Sequence, residues 1–282
     1  MISTQTKTES TAAWDDGLLR NPHAVADKRG RVQRMFAAIA PSYDLNNRLH
    51  SLWMDQRWRR KAVRLADVQA LDVIVDVACG TGDLTLEFAG ALVIALNRGA
   101  GSYPLVPPRD QLFGIDFTYE MLPLARAKAR ARPVKGTGGK VHTGQIVQWM
   151  CGDAMALALP DASADVISIA FGIRNVADPA AAIREFRRVL RPGGRLLILE
   201  FSLPSNPVLR GLYNFYFRKI LPRSATLISG DTSGAYKYLP ESVNTFVGRE
   251  QMMQMMQDAG FVEVEQRAMT FGVCICYRGR VP

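Results

Sequence analysis

Cysteine is scarce in this sequence. The four residues are Cys79, Cys151, Cys274 and Cys276, with no CxxC pair among them. A disulfide-stapled secreted scaffold is thereby excluded. Cys274 and Cys276 stand two apart on an expected strand, so both point to one face. Buried, reduced thiols in a cytoplasmic protein are the expectation. Histidine is scarcer still: His23, His50 and His142 are isolated, each is expected at the surface, and no metal-ligand cluster is expected. Long apolar runs are also missing. The longest, LTLEFAGALVIAL over 84–96, is too short to span a bilayer and reads as a buried helix. The N-terminus lacks the charged start and apolar middle of a signal peptide, and Asp15 and Asp16 argue mildly against a transit peptide. No internal repeat occurs.

What is present suits one α/β domain with a cap. The chain has 282 residues, of which 48% are hydrophobic and 22% charged, enough for a sizeable core. The net charge is +9. It fits a basic cytosolic enzyme, an anionic lipid surface or nucleic acid. Arg57, Arg59, Arg60, Lys61 and Arg64 cluster on an expected helix beside Trp53 and Trp58. This is either a solvated helix face or a contact with a headgroup layer.

Residues 1–30 are polar and aperiodic, and a loosely ordered tail is expected there. Helical spacing over 31–39 and 51–66 places N-terminal helices at 31–70. Strands are expected at 73–77, 112–117, 145–151, 165–171 and 195–201, with helices between them. Gly/Pro-rich stretches at 97–111 and 133–144 read as loops. Asp178-Pro179 supplies an N-cap and a first-turn proline, and Arg191-Pro192-Gly193-Gly194 a helix stop. Residues 203–247 break the alternation and read as an inserted helical cap. A helix at 249–259 precedes an antiparallel strand pair near 261–268 and 271–277. The expected fold is α/β: a doubly wound, mostly parallel seven-stranded sheet, Rossmann-like, with helices on both faces. Ligands bind such sheets at the carboxyl edge.

The chemistry gathers at that edge. Asp76-Val-Ala-Cys-Gly-Thr-Gly-Asp83 follows a strand and opens a helix, so glycines allow close backbone approach to a ligand. The third glycine of the dinucleotide fingerprint is missing, and no triphosphate loop occurs. Asp116, ending the second strand, can accept both ribose hydroxyls of a nucleoside. Asp153-Ala154, after the third, can meet an adenine edge. As alternatives, Asp116 alone is a surface carboxylate, and Gly-Asp is ordinary turn chemistry.

Together with the Leu190–Gly194 helix end, these blocks resemble class I S-adenosylmethionine methyltransferases. Phe36-Ala-Ala-Ile-Ala-Pro-Ser-Tyr-Asp-Leu-Asn-Asn47, Phe171-Gly-Ile-Arg-Asn-Val176, Leu199-Glu-Phe-Ser202 and Tyr236–Ser242 are similar to the ubiquinone/menaquinone biosynthesis C-methyltransferase family, over about residues 30–278. Gly114–Leu122, Gly152–Leu157 and Leu212–Arg218 look more like its menaquinone branch.

The resemblance implies S-adenosyl-L-methionine as cofactor, held by Gly80, Thr81, Asp116, Asp153 and Ala154. Ala170 stands where some members carry a serine. It implies methyl transfer to a ring carbon of a polyprenylated quinol, demethylmenaquinol above all. A carbon nucleophile needs its phenol deprotonated, hence a proton acceptor or a cation that stabilises the phenolate. Arg174 is assigned the second role, and Asn175 the orientation of the ring oxygen. The alternative for Arg174 is a structural ion pair. Tyr43, Asp44 and Tyr238 are lesser candidates for substrate contact. Residues 208–221 and the Met252, Met253, Met255, Met256 group either line an isoprenoid channel or form core. No metal is needed. A cytoplasmic protein at the inner membrane face is expected, and a homodimer is left open. Competing readings are the ubiquinone-branch benzoquinol methylase, a methyltransferase acting on a sterol, amine or other phenol, and a non-catalytic relic. A nucleic-acid enzyme lacks its Asn-Pro-Pro-Tyr-type motif, so no nucleic acid is expected.

Overall fold

The computed structural model describes residues 13–98, 107, 110–136 and 139–282, with backbone alone over 135–136 and 139–142. Residues 1–12, most of the 97–111 loop and the His142 side chain lie outside the described part.

Four short strands form the centre: β1 (Ile74–Val77), β2 (Leu112–Asp116), β5 (Val147–Cys151) and β6 (Ala164–Ala170), with β1 and β6 rich in Val and Ile. They join β7 (Leu190–Phe201), β8 (Val262–Met269) and β9 (Cys274–Arg280) in the order β5-β2-β1-β6-β7-β9-β8. The pairs from β5 through β7 are parallel, while β9 lies antiparallel to both β7 and β8. The chain runs outward from β1 to β2 and β5, then returns across β1 to β6. That reversal opens a crevice at the carboxyl ends of β1 and β6.

Both sheet faces are covered. Helices α3 (Met54–Ala66) and α4 (Asp83–Leu96) pack one face through Trp58, Phe88 and Leu92. Helices α6 (Pro179–Val189) and α10 (Arg249–Asp258) pack the other through Ile183, Phe186, Met252 and Met256. The methionine group is therefore core. Helix α5 (Met121–Ala131) packs beside β5, the edge strand, and buries Met121, Leu122 and Ala125. Cys274 and Cys276 share a buried face, as the strand period requires, whereas Cys151 is exposed.

Three expectations are corrected. A hairpin of β3 (Pro133–Gly136) and β4 (Gly139–His142) occupies the expected 133–144 loop, with Gly136 opposite Gly139 at its turn. Strand β7 starts at Leu190 rather than Arg195, because Gly193 at φ +79° lets the Pro-Gly-Gly segment continue into the sheet. Residues 13–30 are packed rather than loose: Trp14 is 2% exposed, and its ring lies 4.5 Å from that of Tyr238. Polar sequence hid this because a single large anchor suffices to dock a segment.

Above the carboxyl edge sits a third layer. It comprises α1 (Lys28–Ile39), α2 (Tyr43–Ser51) and the cap helices α7 (Pro207–Phe215), α8 (Leu221–Ser229) and α9 (Ala235–Asn244). Its own apolar cluster is built on Trp14, Met35, Tyr213, Phe217 and Tyr238. On α3, Trp58 and Arg59 turn inward, whereas Arg57, Arg60, Lys61 and Arg64 are exposed. The basic cluster is thus split by helical phase. Trp14→Ala is expected to lower stability by about 3–5 kcal/mol, read as a fall in Tm. An unchanged Tm would mean that the N-terminal segment does not bear on the fold.

Candidate active site

A pocket opens where the carboxyl ends of β1, β2, β5 and β6 converge, lined by Gly80, Asp116, Asp153, Ala154, Asn175 and Phe117 among others. Asp116 ends β2, and its two oxygens accept the Gly80 and Thr118 N–H groups, each at 2.7 Å. Gly80 holds φ +56°, a left-handed conformation that suits glycine. Burial pushes the Asp116 carboxyl up to about 6, against the two amides that favour its charge. Asp76 lies beneath, accepting hydroxyls of Thr85 at 2.6 Å and Ser168 at 2.8 Å. Burial raises it to about 6 as well. Asp153 accepts the Met155 N–H at 3.0 Å and pairs with Arg29 at 2.9 Å. Arg29 also lies 4.4 Å over the Phe117 ring.

Thr81 lines an adjoining polar pocket with Arg59, Asp76 and Asp83. Its hydroxyl donates to Asp44 at 2.6 Å and accepts from Lys128 at 2.9 Å. Asp83 sits low, at about 2: burial opposes ionisation, but Arg59, Lys128 and Arg48 outweigh it. The two pockets share Tyr43, Ala78, Gly80 and Ala170. One rim therefore carries a buried carboxylate at the end of β2, a second carboxylate after β5 and a charged, polar recess beside Thr81.

A second, mostly apolar cavity of about 430 Å³ lies behind, under the cap. It meets the first at Phe36, Tyr43 and Phe171. Phe171 adopts φ +58°, a strained value for a non-glycine residue at the turn after β6. A Cβ on the next residue, Gly172, would come within 2.6 Å of the Ala78 Cβ, so the two loops pack almost backbone to backbone.

This turn separates the two expected catalytic residues. Asn175 lines the first pocket, and its Oδ1 accepts the Tyr238 hydroxyl at 2.9 Å. Arg174 lines the apolar cavity. Its Nη1 donates to Glu200 at 2.6 Å and to the Phe171 carbonyl at 2.7 Å. Its Nε lies 3.4 Å from the Ser242 hydroxyl, and Nη2 has no partner among the described residues. Lys28, buried, donates to the carbonyls of Arg174 at 2.8 Å and Val176 at 2.7 Å. Burial, and then the Arg174 charge, lowers its pKa to about 8.

Sequence reasoning missed several of these groups. Lys28 and Arg29 fall in the segment expected to be loose. Glu200 stands in the quoted Leu199–Ser202 block, and an acid there opposite a buried arginine was the available signal. Two histidines are corrected from surface to partly buried. His50 lines the apolar cavity, with Nε2 2.8 Å from the Ser224 hydroxyl. His23 has Nε2 2.8 Å from the Ser242 carbonyl, and burial lowers its pKa to about 4. Of the lesser candidates, Tyr43 stands at the junction and Tyr238 in the apolar cavity. Asp44 faces Thr81 and Lys128 instead.

The sheet order, the acid ending β2 and the glycine turn after β1 define a class I methyltransferase. A solved S-adenosylmethionine-dependent methyltransferase from Thermotoga maritima shares this fold at a TM-score of 0.52 and 19% identity, covering 89% of this chain and 100% of that one. One from Aquifex aeolicus aligns at a TM-score of 0.50 and 16% identity, over 79% and 89% of the two chains. The model of the ubiE/COQ5 methyltransferase family matches residues 24–280, and the chain belongs to that family. It is 42% identical to a demethylmenaquinone methyltransferase of Deinococcus radiodurans, over 88% of this chain and 91% of the relative. It is 43% identical to one of Thermus thermophilus, over 88% and 100%. It is 38% identical to a ubiquinone/menaquinone biosynthesis C-methyltransferase of Geobacter sp., over 91% and 99%.

A carboxylate that receives two hydroxyls must be ionised. Adenosylmethionine affinity is expected to weaken as pH falls through about 6, where Asp116 takes up its proton. Calorimetric titration at pH 7.5 and 5.5 reads this. An affinity flat across that range would remove Asp116 from the contact.

Proposed function

We propose that this protein transfers the methyl group of S-adenosylmethionine to a ring carbon of demethylmenaquinol, giving menaquinol. The observation that carries this reading is the apolar cavity of about 430 Å³ that opens onto the nucleoside pocket at Phe36, Tyr43 and Phe171, with a buried guanidinium in its wall. Its size and lining suit a fused aromatic ring with the start of an isoprenoid tail. Tyr213, Tyr216, Phe217 and Leu221 of the 208–221 segment contribute to that lining.

The cofactor-side residues fit the donor. Asp116 takes the ribose hydroxyls, Asp153 and Ala154 the adenine edge, and the Gly80-Thr81 turn with its polar pocket the methionine end. The bound sulfonium supplies an electrophilic methyl group. The chain's own task is to make the ring nucleophilic and to align it. Arg174 is suited to stabilising the phenolate. Glu200 raises its pKa despite burial and so keeps it charged in the cavity wall. Asn175, steadied by Tyr238, orients the ring at the junction between the pockets.

The menaquinone branch is favoured because the Deinococcus and Thermus relatives, at 42% and 43% identity, bear that name. The ubiquinone-branch benzoquinol is the second reading. Among the described residues, no helix is long and apolar enough to cross a membrane. Peripheral contact is the fitting alternative for so apolar a substrate. Leu52, Trp53, Leu212 and Phe215 are exposed on α7 and the α2–α3 junction, two elements that also line the cavity, and exposed Arg57 and Arg60 stand nearby on α3.

A labelled-methyl assay with both demethylated quinols tests the function. Turnover of the naphthoquinol is expected to exceed that of the benzoquinol, and turnover of neither would end the proposal. Arg174→Lys keeps a charge beside Glu200 but loses the planar fork. Its kcat should fall at least about tenfold with adenosylmethionine affinity retained, and an unchanged kcat would leave Arg174 as a structural ion pair. Sedimentation with anionic vesicles should carry the protein down, and less so for Leu52→Ser/Trp53→Ser. Equal recovery in the supernatant would exclude this face.

A further inference from the structure

Leu52 marks the place where the apolar cavity reaches solvent. Of the residues that line the cavity it alone is exposed, at 78%, and every other is buried or half-buried. At its other end the cavity meets the first pocket, at Phe36, Tyr43 and Phe171. The function proposed above puts the methyl donor at that end. A cavity of about 430 Å³ encloses a ligand of ordinary small-molecule size. A quinol ring and the start of its tail fill it, so a tail of several isoprene units has to leave.

The chain holds Leu52 at this place against a backbone preference. Leu52 at φ +50° and Trp53 at φ +59° are consecutive left-handed residues, and neither is glycine. Nearby contacts fix the turn. The Trp53 N–H donates to the Arg48 carbonyl at 2.9 Å, and the Ser51 hydroxyl donates to Asp55 at 2.8 Å. Such strain persists only where the surroundings impose it, and it gathers at functional positions. A turn that only joined α2 to α3 would be less strained with glycine or asparagine. This one instead holds two apolar side chains in the open, since Trp53 is exposed as well. Just before it, polar contacts tie α2 to the cap. Tyr216, past the end of α7, donates to the His50 carbonyl at 3.2 Å, and His50 Nε2 lies 2.8 Å from the Ser224 hydroxyl of α8.

We infer that the isoprenoid tail leaves the cavity over Leu52, at the α2–α3 turn, and that Leu52 sets how well long-tailed quinols are used. The inference rests on the function proposed above and adds the path of the tail to it. An apolar side chain at the outlet keeps the departing methylenes from water, whereas a charge there would have to be desolvated against them. With this face against a bilayer, the ring occupies the cavity while the rest of the tail stays in lipid.

The test is Leu52→Asp, assayed in detergent micelles so that membrane attachment does not set the rate. Aspartate takes the left-handed conformation more readily than leucine, which keeps the turn. The quantity read is a ratio: kcat/KM for a demethylmenaquinol with several isoprene units, over kcat/KM for one with a single unit. Leu52→Asp should lower that ratio about tenfold. Leu227→Asp makes the same change at an 87% exposed leucine of α8 outside the cavity lining, and should keep the parent ratio. The inference is overturned if Leu52→Asp keeps the parent ratio, or if both variants lower it equally. A fall in Tm with equal loss on both quinols also overturns it, since Leu52 would then serve the fold alone. A parent enzyme inactive on both quinols would instead overturn the proposed function, and this path with it.

Discussion

The buried ion pair between Arg174 and Glu200 holds the carboxyl edge of the sheet and the layer above it together. Both side chains are nearly inaccessible, at 5% and 2% exposure. Removing one partner of such a pair leaves a charge in a poorly solvated place, at a cost of about 3–5 kcal/mol. The pair does not act alone. Glu200 is the penultimate residue of β7, Arg174 sits on the turn after β6, Ser242 reaches the guanidinium from α9, and Lys28 grips the carbonyls of the same turn from α1. The sheet, the cap and the N-terminal helix are thereby tied at one point.

That tie explains why the turn after β6 can hold a conformation it would not choose. Phe171 at φ +58° and Ala78 at φ +51° lie in a region that side chains disfavour. They face each other across Gly172, where no Cβ fits. The strain places consecutive residues on opposite sides of a partition. Asn175 lines the pocket at the sheet edge and Arg174 the apolar cavity. The two pockets thus meet at one aromatic edge, with the Arg174 charge in the wall of the apolar one.

Much of this was legible before any coordinates. Short apolar runs between glycine- and proline-rich stretches placed β1, β2, β5 and β6 within a few residues, since strand and turn chemistry are local. The loop acids at 116 and 153 were legible for the same reason, because each follows its strand directly. Gly80, Asp116, Asp153 and Ala154 do line one pocket. Thr81 stands one step along the rim, because its hydroxyl is taken by Asp44 and Lys128 from distant segments. The hairpin at β3–β4 escaped notice because pairing across a glycine turn carries little apolar signal. The docking of Trp14 escaped because its partner, Tyr238, lies more than two hundred positions away.

Sequence by itself therefore determined the sheet, its carboxyl-edge acids and the existence of a cap, all of which follow from patterns within a dozen residues. Tertiary structure alone decided what the cap encloses. The cavity wall draws on α1, α2, α3, β7 and the cap helices together, and no local pattern encodes their meeting. It decided as well that Arg174 pairs with Glu200, that His50 faces inward and that the Tyr213 hydroxyl is left without a partner. Burial and pairing of polar groups depend on which surfaces close over one another, and that is settled only when the whole chain has folded.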